Sequence, residues 1–193
     1  MRLTPVGKPF KPAPIDDRQQ AFPFIHQVRQ LVAIAERKRM AQPREPYQPP
    51  PREHREPIRL VLISCSKSKL TTKAPARDLY TGQLFKRAVS WAERHDLPWF
   101  VVSALHELVT PDQEISPYNY TIKDRRQRER EQWAHQVVSQ LTNYAGPHSH
   151  AILILPEPYR RFIEPELFTN KITYENPLAG MGIGQQMKWL AEN

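Results

Sequence analysis

The sequence predicts an α/β fold: a single layered domain with a mostly parallel sheet flanked by helices, behind an N-terminal proline-rich arm that contains one helix. Three observations predict it. From residue 58 onward, short apolar runs of strand length alternate with segments of helical period, the pattern of a parallel sheet with helical crossovers. Proline is unevenly placed, with 11 of the 20 prolines in residues 1–57, and glycine is scarce at 6, which excludes a flexible Gly-rich or collagen-like chain. Charge is uneven too: residues 1–57 carry 11 basic against 6 acidic side chains, a net +5 of the total +8. The chain therefore divides into an arm, 1–57, and a domain, 58–193.

Within the arm, residues 4–14 and 43–57 favour extended, polyproline-like chain, since each ring fixes φ and removes an N–H donor. Between them a helix is predicted near 22–41, with Pro23 at an allowed early position and Phe24, Val28, Leu31, Val32 and Ala35 at helical spacing. Arg37, Lys38 and Arg39 close it, matching the helix dipole or meeting nucleic acid. The domain opens with a buried strand, 58–64 (IRLVLIS). A helix over 84–95 places Leu84, Phe85, Ala88, Trp91 and Ala92 on one face. A second strand covers 99–103 (WFVVS). A longer helix, 123–144, carries Trp133, Val137, Val138 and Leu141, and its first half, KDRRQRERE, reads as an ion-paired face or a basic ridge. A third strand, 151–155 (AILIL), leads into a short helix over 157–162, and a last helix spans 184–190.

Composition sets limits on the chemistry. One cysteine, Cys65, rules out an intramolecular disulfide and a multi-thiolate zinc site. Neither metal-ligand spacing nor a cofactor motif occurs, so no cofactor is expected. No run approaches the roughly 18 apolar residues of a membrane span, and residues 1–17 lack a signal-like apolar core. A cytoplasmic protein without membrane contact is expected.

In open parallel sheets, ligands bind beyond the carboxyl ends of the strands, so the loops there hold the candidates. After the first strand, Ser64, Cys65, Ser66, Lys67 and Lys69 offer hydroxyls, a thiol and two ammonium groups to an anion such as phosphate. Cys65 is a candidate nucleophile or redox group, or a small strand-end residue. Further on, extended chain at Arg77 and Asp78 would point their side chains apart; Asp78 is a candidate general base and Tyr80 a stacking face. His106 follows the second strand directly, where a proton carrier is useful, and Tyr118 lies beyond it. Gly180, Gly182 and Gly184 precede the last helix, where glycine lets backbone approach a ligand and the helix end supplies N–H donors.

Taken together, SCSKSK, APARDLY, SALHEL with ISPYNYTI, and NPLAGMGIGQQMKWL resemble a bacterial and phage domain family of unknown function. That family is distantly similar to the peroxide-stress protein YaaA and to the archaeosine synthase core domain. The resemblance spans residues 58–190 and implies that the four blocks meet at one site. It sets glycine after the His, where this chain has Glu107, so a positive φ is expected to be strained there.

These readings converge on an enzyme that processes a nucleobase or nucleotide, free or within DNA or RNA, by glycosidic cleavage or group transfer. In that reading Lys67 and Lys69 hold phosphate, Asp78 and His106 move protons, and Tyr80 or Tyr118 stacks on the base. The rival is a non-catalytic nucleic-acid-binding protein, acting in stress response or in phage, whose arm and charged helix contact phosphates. A third expectation is a protein partner docking on PREPYQPPPRE through an aromatic groove.

Overall fold

A computed structural model describes residues 56–193; the arm's expected helix, its basic end, the proline-rich stretch 4–14 and all but the last two residues of the stretch 43–57 lie outside the described residues. Its centre is a five-stranded sheet. The chain runs through β1 (Arg59–Ser64), β2 (Ala74–Pro75), α1 (Ala76–Leu79), α2 (Gln83–Arg94), β3 (Trp99–Ser103), β4 (Glu107–Val109) and β5 (Glu114–Ile115). After a 3₁₀ turn at Ile122–Asp124 come α3 (Gln127–Leu141), β6 (His150–Ile154), α4 (Glu157–Thr169), β7 (Thr173–Glu175) and α5 (Ile183–Glu192). The sheet order is β4-β3-β1-β6-β7, and β2 pairs with β5 separately. β1 lies parallel to both β3 and β6, β7 is parallel to β6, and only β4 is antiparallel. Among the described residues no helix is long and apolar enough to cross a membrane.

The unbroken apolar run of β1 follows from burial on both faces. Leu60 and Leu62 point to one side, with Trp133, Val137 and Leu141 of α3 and Ile163 and Leu167 of α4. Val61 and Ile63 point to the other, with Phe85, Ala88 and Trp91 of α2 and Leu190 of α5. Leu60 and Leu62 are both fully buried, and each contributes about 1.5–3 kcal/mol. Two helical layers therefore cover one sheet, as the alternating pattern predicts.

The boundaries differ where side chains compete with the helix. The segment predicted as one helix, 123–144, splits. Thr121 accepts the Lys123 N–H, and Asp124 reaches back to the Thr121 N–H at 3.0 Å. Arg125 and Arg126 are then extended, and Glu129 accepts the Arg126 N–H at 2.6 Å to start α3. Asp124 and Glu129 thus cap helix starts, as acidic side chains do, and among the described residues the ion-paired face expected of KDRRQRERE has no ion pair within it, Arg125 pairing with Glu107 instead. The helix expected over 157–162 continues past Pro165 to Thr169. Arg77 and Asp78, expected in extended chain, lie in the single turn of α1. The short strands β2, β4, β5 and β7 carry too few residues to show a period in sequence.

Candidate functional site

β1 is the point where the strand order reverses. Its crossover to β3 passes through α2 on one face, while the chain leaving β6, β1's other neighbour, enters α4 on the opposite face. Loops that diverge this way leave a crevice between them. A cleft of about 580 Å³ occupies this place. Ser64, Cys65 and Ser66 line it from the end of β1, Leu155 to Glu157 from the end of β6, and Asn176 to Met181 from the segment after β7.

Three helices begin at its walls. Gln83 and Leu84 of α2, Glu157 and Arg160 of α4, and Ile183 and Gln186 of α5 all face the cleft. Their N-cap positions are Gly82, Pro156 and Gly182, and none of these makes a side-chain cap. First-turn N–H groups without intrahelical partners carry partial positive charge; beside those of α2 and α5, α4 offers only that of Glu157, because Pro158 has no N–H and the Tyr159 N–H is bonded to the Pro156 carbonyl at 3.0 Å. Arg160 adds a guanidinium: Nη1 binds Glu164 at 2.6 Å, while Nε is buried with no partner. Glu157 supplies the carboxylate of the cleft, loosely paired with Arg161 at 3.9 Å. Leu84, Phe85, Ile154, Leu178 and Met181 give it an apolar floor.

Glycine matters at two places on this wall. Gly180 has φ +73°, which a side chain resists. A Cβ at Gly82 would strike the Ser66 hydroxyl, so this glycine lets the Ser/Lys loop lie against the start of α2. Gly184 stands in open space, a Cβ at Gly182 would meet the Gln185 side chain at an ordinary 3.7 Å, and neither glycine lines the cleft.

Behind Cys65 is a second group of residues, and counting donors fixes its direction. The Ser103 hydroxyl accepts the N–H groups of Leu105 (3.2 Å) and His106 (2.9 Å). Both lone pairs are then used, so its hydrogen goes to Tyr118 Oη at 2.7 Å. Tyr118 in turn donates to Tyr80 Oη at 3.0 Å. The hydrogen of the fully buried Tyr80 is left directed away from that chain. Lys69 lies 4.2 Å from the Tyr118 ring centre, and its Nζ donates to the Ser66 carbonyl at 2.8 Å. Cys65 Sγ is 3.6 Å from Tyr159 Oη.

Burial dominates the electrostatics of this group. It pushes Tyr80 up to about 12 and also raises Tyr118 and Tyr159, with the neighbouring Cys65 adding to each. Burial lowers Lys69, against the opposing pull of Cys65. It lowers His106 as well. The His106 Nε2 is buried without a partner, and its ring meets Tyr118 edge-on at 5.0 Å.

The candidates read from sequence thus fall into three sets. Ser64, Cys65, Ser66 and Gly180 line the cleft. Lys69, Tyr80, Tyr118 and His106 stand behind Cys65. The others lie outside both groups: Lys67, Gly182 and Gly184 are exposed, and Asp78 is exposed on α1 without a hydrogen bond or ion pair among the described residues. Arg77 binds Asp112 at 2.9 Å and sits over Trp99, and neither residue lines the cleft. The reading missed Gly82, Glu157 and Arg160. Their signal was a proline or glycine between a strand and a helix, which marks a helix start without marking a ligand.

Residues 60–192 match a family of unknown function, DUF6884. The chain belongs to this family. The DUF6884 match begins in β1 and ends in α5, so it contains every residue that lines the cleft and leaves out the arm. Its extent agrees with the four sequence blocks. No curated protein and no solved structure matches the chain.

Proposed function

We propose that this DUF6884 chain is an enzyme that processes a nucleotide or its base in the switch-point cleft, by glycosidic cleavage or group transfer. The observation that carries the reading is the convergence of three helix starts and Arg160 on one cleft with an apolar floor. Converging N–H groups and a guanidinium suit a phosphate, and the apolar floor suits a base. In this reading Cys65 and Glu157 are the groups able to attack or to move a proton. Asp78, expected as the base from sequence, stands outside the cleft, so Glu157 takes that task. The distant likeness to YaaA and archaeosine synthase expected from sequence has no match among curated proteins and adds no residue to the site.

The test is chromatography with mass spectrometry on nucleotides and oligonucleotides, with ordinary and modified bases, incubated with the purified chain. Release or exchange of a base is expected, lost in Glu157→Gln or Cys65→Ser and kept in Asp78→Asn. Activity that disappears only in Asp78→Asn would overturn the assignment.

A further inference from the structure

The positive charge of the described domain is concentrated in the segments that follow the carboxyl ends of the strands. Parallel strands carry their crossovers so that each following helix starts at the strands' carboxyl end. The first turns of α2 and α4 therefore share that end. The start of α3 is fixed there as well, because Arg125 donates from Nε and Nη2 to the Ala104 carbonyl, just past β3, at 3.2 and 3.1 Å. Formal charge over these segments is +2 for residues 64–69, +2 for 83–89, +2 for 121–131 and +1 for 157–161. Residues 58–193 as a whole carry only +3, so the rest of the domain is net negative.

Part of this charge is already committed. Arg125 pairs with Glu107 at 3.2 Å, and Arg130 donates to the carbonyls of Arg125 and Lys123. Lys69, Arg160 and Arg161 are engaged by the Ser66 carbonyl, Glu164 and Glu157. Six cations remain: Lys67, Lys86 and Arg87 after β1 and in α2, and Lys123, Arg126 and Arg128 around the start of α3, none of them lining the cleft. All are exposed, and none has a side-chain hydrogen bond or ion pair among the described residues. Arg87 stands one turn beyond Gln83 and Leu84, next to the cleft-lining Ala88. A mononucleotide has one phosphate group to neutralise. Two groups, or banks, of free cations that do not line the cleft suit a ligand whose phosphates repeat.

We infer that the substrate is presented within a single-stranded nucleic acid, its backbone crossing both banks while one unstacked nucleotide enters the cleft. This rests on the nucleotide reading of the cleft and adds the polymer to it. A duplex would have to expel the nucleotide first, at the cost of stacking and pairing.

The experiment is fluorescence anisotropy of labelled twelve-nucleotide oligo(dT) and oligo(U) with the full chain across a salt series. Three variants are compared: Lys67→Ala/Lys86→Ala/Arg87→Ala, Lys123→Ala/Arg126→Ala/Arg128→Ala, and an arm variant, Arg37→Ser/Lys38→Ser/Arg39→Ser. Circular dichroism checks that each folds. A single strand loses about 0.7 in salt slope per phosphate contact removed, so each bank variant should flatten the slope by about 2 while leaving mononucleotide binding in place. Slopes unchanged in both bank variants, loss confined to the arm variant, or equal binding to duplex or to anionic lipid vesicles would overturn the inference. If a mononucleotide binds the cleft but oligomers ignore the banks, the polymer inference falls and the nucleotide reading stands. If oligomers need the banks but neither mononucleotide competition nor Arg160→Gln affects them, the nucleotide reading falls, and with it the inferred entry into the cleft.

Discussion

Glu107 is where a single residue reveals most about the site. Its φ of +53° is a left-handed conformation, costing a side-chain-bearing residue about 1–2 kcal/mol. It turns the chain from β3 into β4 and so sets the position of His106. Arg125 compensates, binding the Glu107 carboxylate at 3.2 Å while its guanidinium also holds the Ala104 carbonyl. Burial raises the Glu107 pKa, and Arg125 opposes that rise. Two substitutions separate strain from pairing. Glu107→Ala loses the ion pair and keeps the strain, whereas Glu107→Gly loses both. In urea denaturation Glu107→Gly should be more stable than Glu107→Ala by about 1 kcal/mol; equal stabilities would mean that the turn stores no strain. The sequence already held this signal, because the block resemblance expects glycine at this position and a positive φ with it. Arg125 could not be foreseen, since five cations alternate with acids from Lys123 to Glu131 and spacing does not say which one turns inward.

Helix starts are the elements that make the site. α2 begins against the Ser/Lys loop only because Gly82 has no side chain. In Gly82→Ala the Ser66 hydroxyl must rotate away, and its Cβ, 3.0 Å from the new methyl, must give as well. The expected cost is about 1 kcal/mol, recovered in large part by Gly82→Ala/Ser66→Gly. A double variant no more stable than the single one would show that the loop and the helix do not press on each other. The main elements were legible because β1, β3 and β6 are apolar on both faces and α2 shows a clear helical stripe. Three things were not legible: β2, β4, β5 and β7, with two or three residues each; the break before α3, decided by capping at Asp124 and Glu129; and the extension of α4 past Pro165. In each, a local hydrogen bond or a tertiary contact outweighed the periodic signal.

At the scale of the molecule, the topology gathers what the sequence scatters. The reversal of strand order at β1 brings the Ser/Lys loop, the start of α4 and the glycine segment before α5 to one cleft, although they are about 90 and 115 residues apart in the chain. The rule that ligands sit beyond the strands' carboxyl ends pointed to Ser64, Cys65 and Ser66, and the glycines before the last helix pointed to Gly180; all four line the cleft. Glu157 and Arg160 escaped because a carboxylate and a guanidinium in a first turn are common on any helix, and only the tertiary fold shows that these two face inward. The net charge of +8 divides in the same way: the arm holds most of it, and the domain's share lies in the segments after the strands' carboxyl ends. The central claim is that converging helix starts and Arg160 form a phosphate site. It is tested most directly by calorimetric titration of the full chain and of Arg160→Gln with nucleoside 5′-monophosphates and with the matching nucleosides, while amide shifts are followed at Gln83, Glu157 and Ile183. The account predicts that monophosphates bind at least about tenfold more tightly than nucleosides, that Arg160→Gln weakens them by about 10- to 100-fold, as loss of a charge-assisted hydrogen bond should, and that those three amides shift on binding. Equal binding of nucleoside and monophosphate, or an Arg160→Gln variant that binds like the parent, would contradict it.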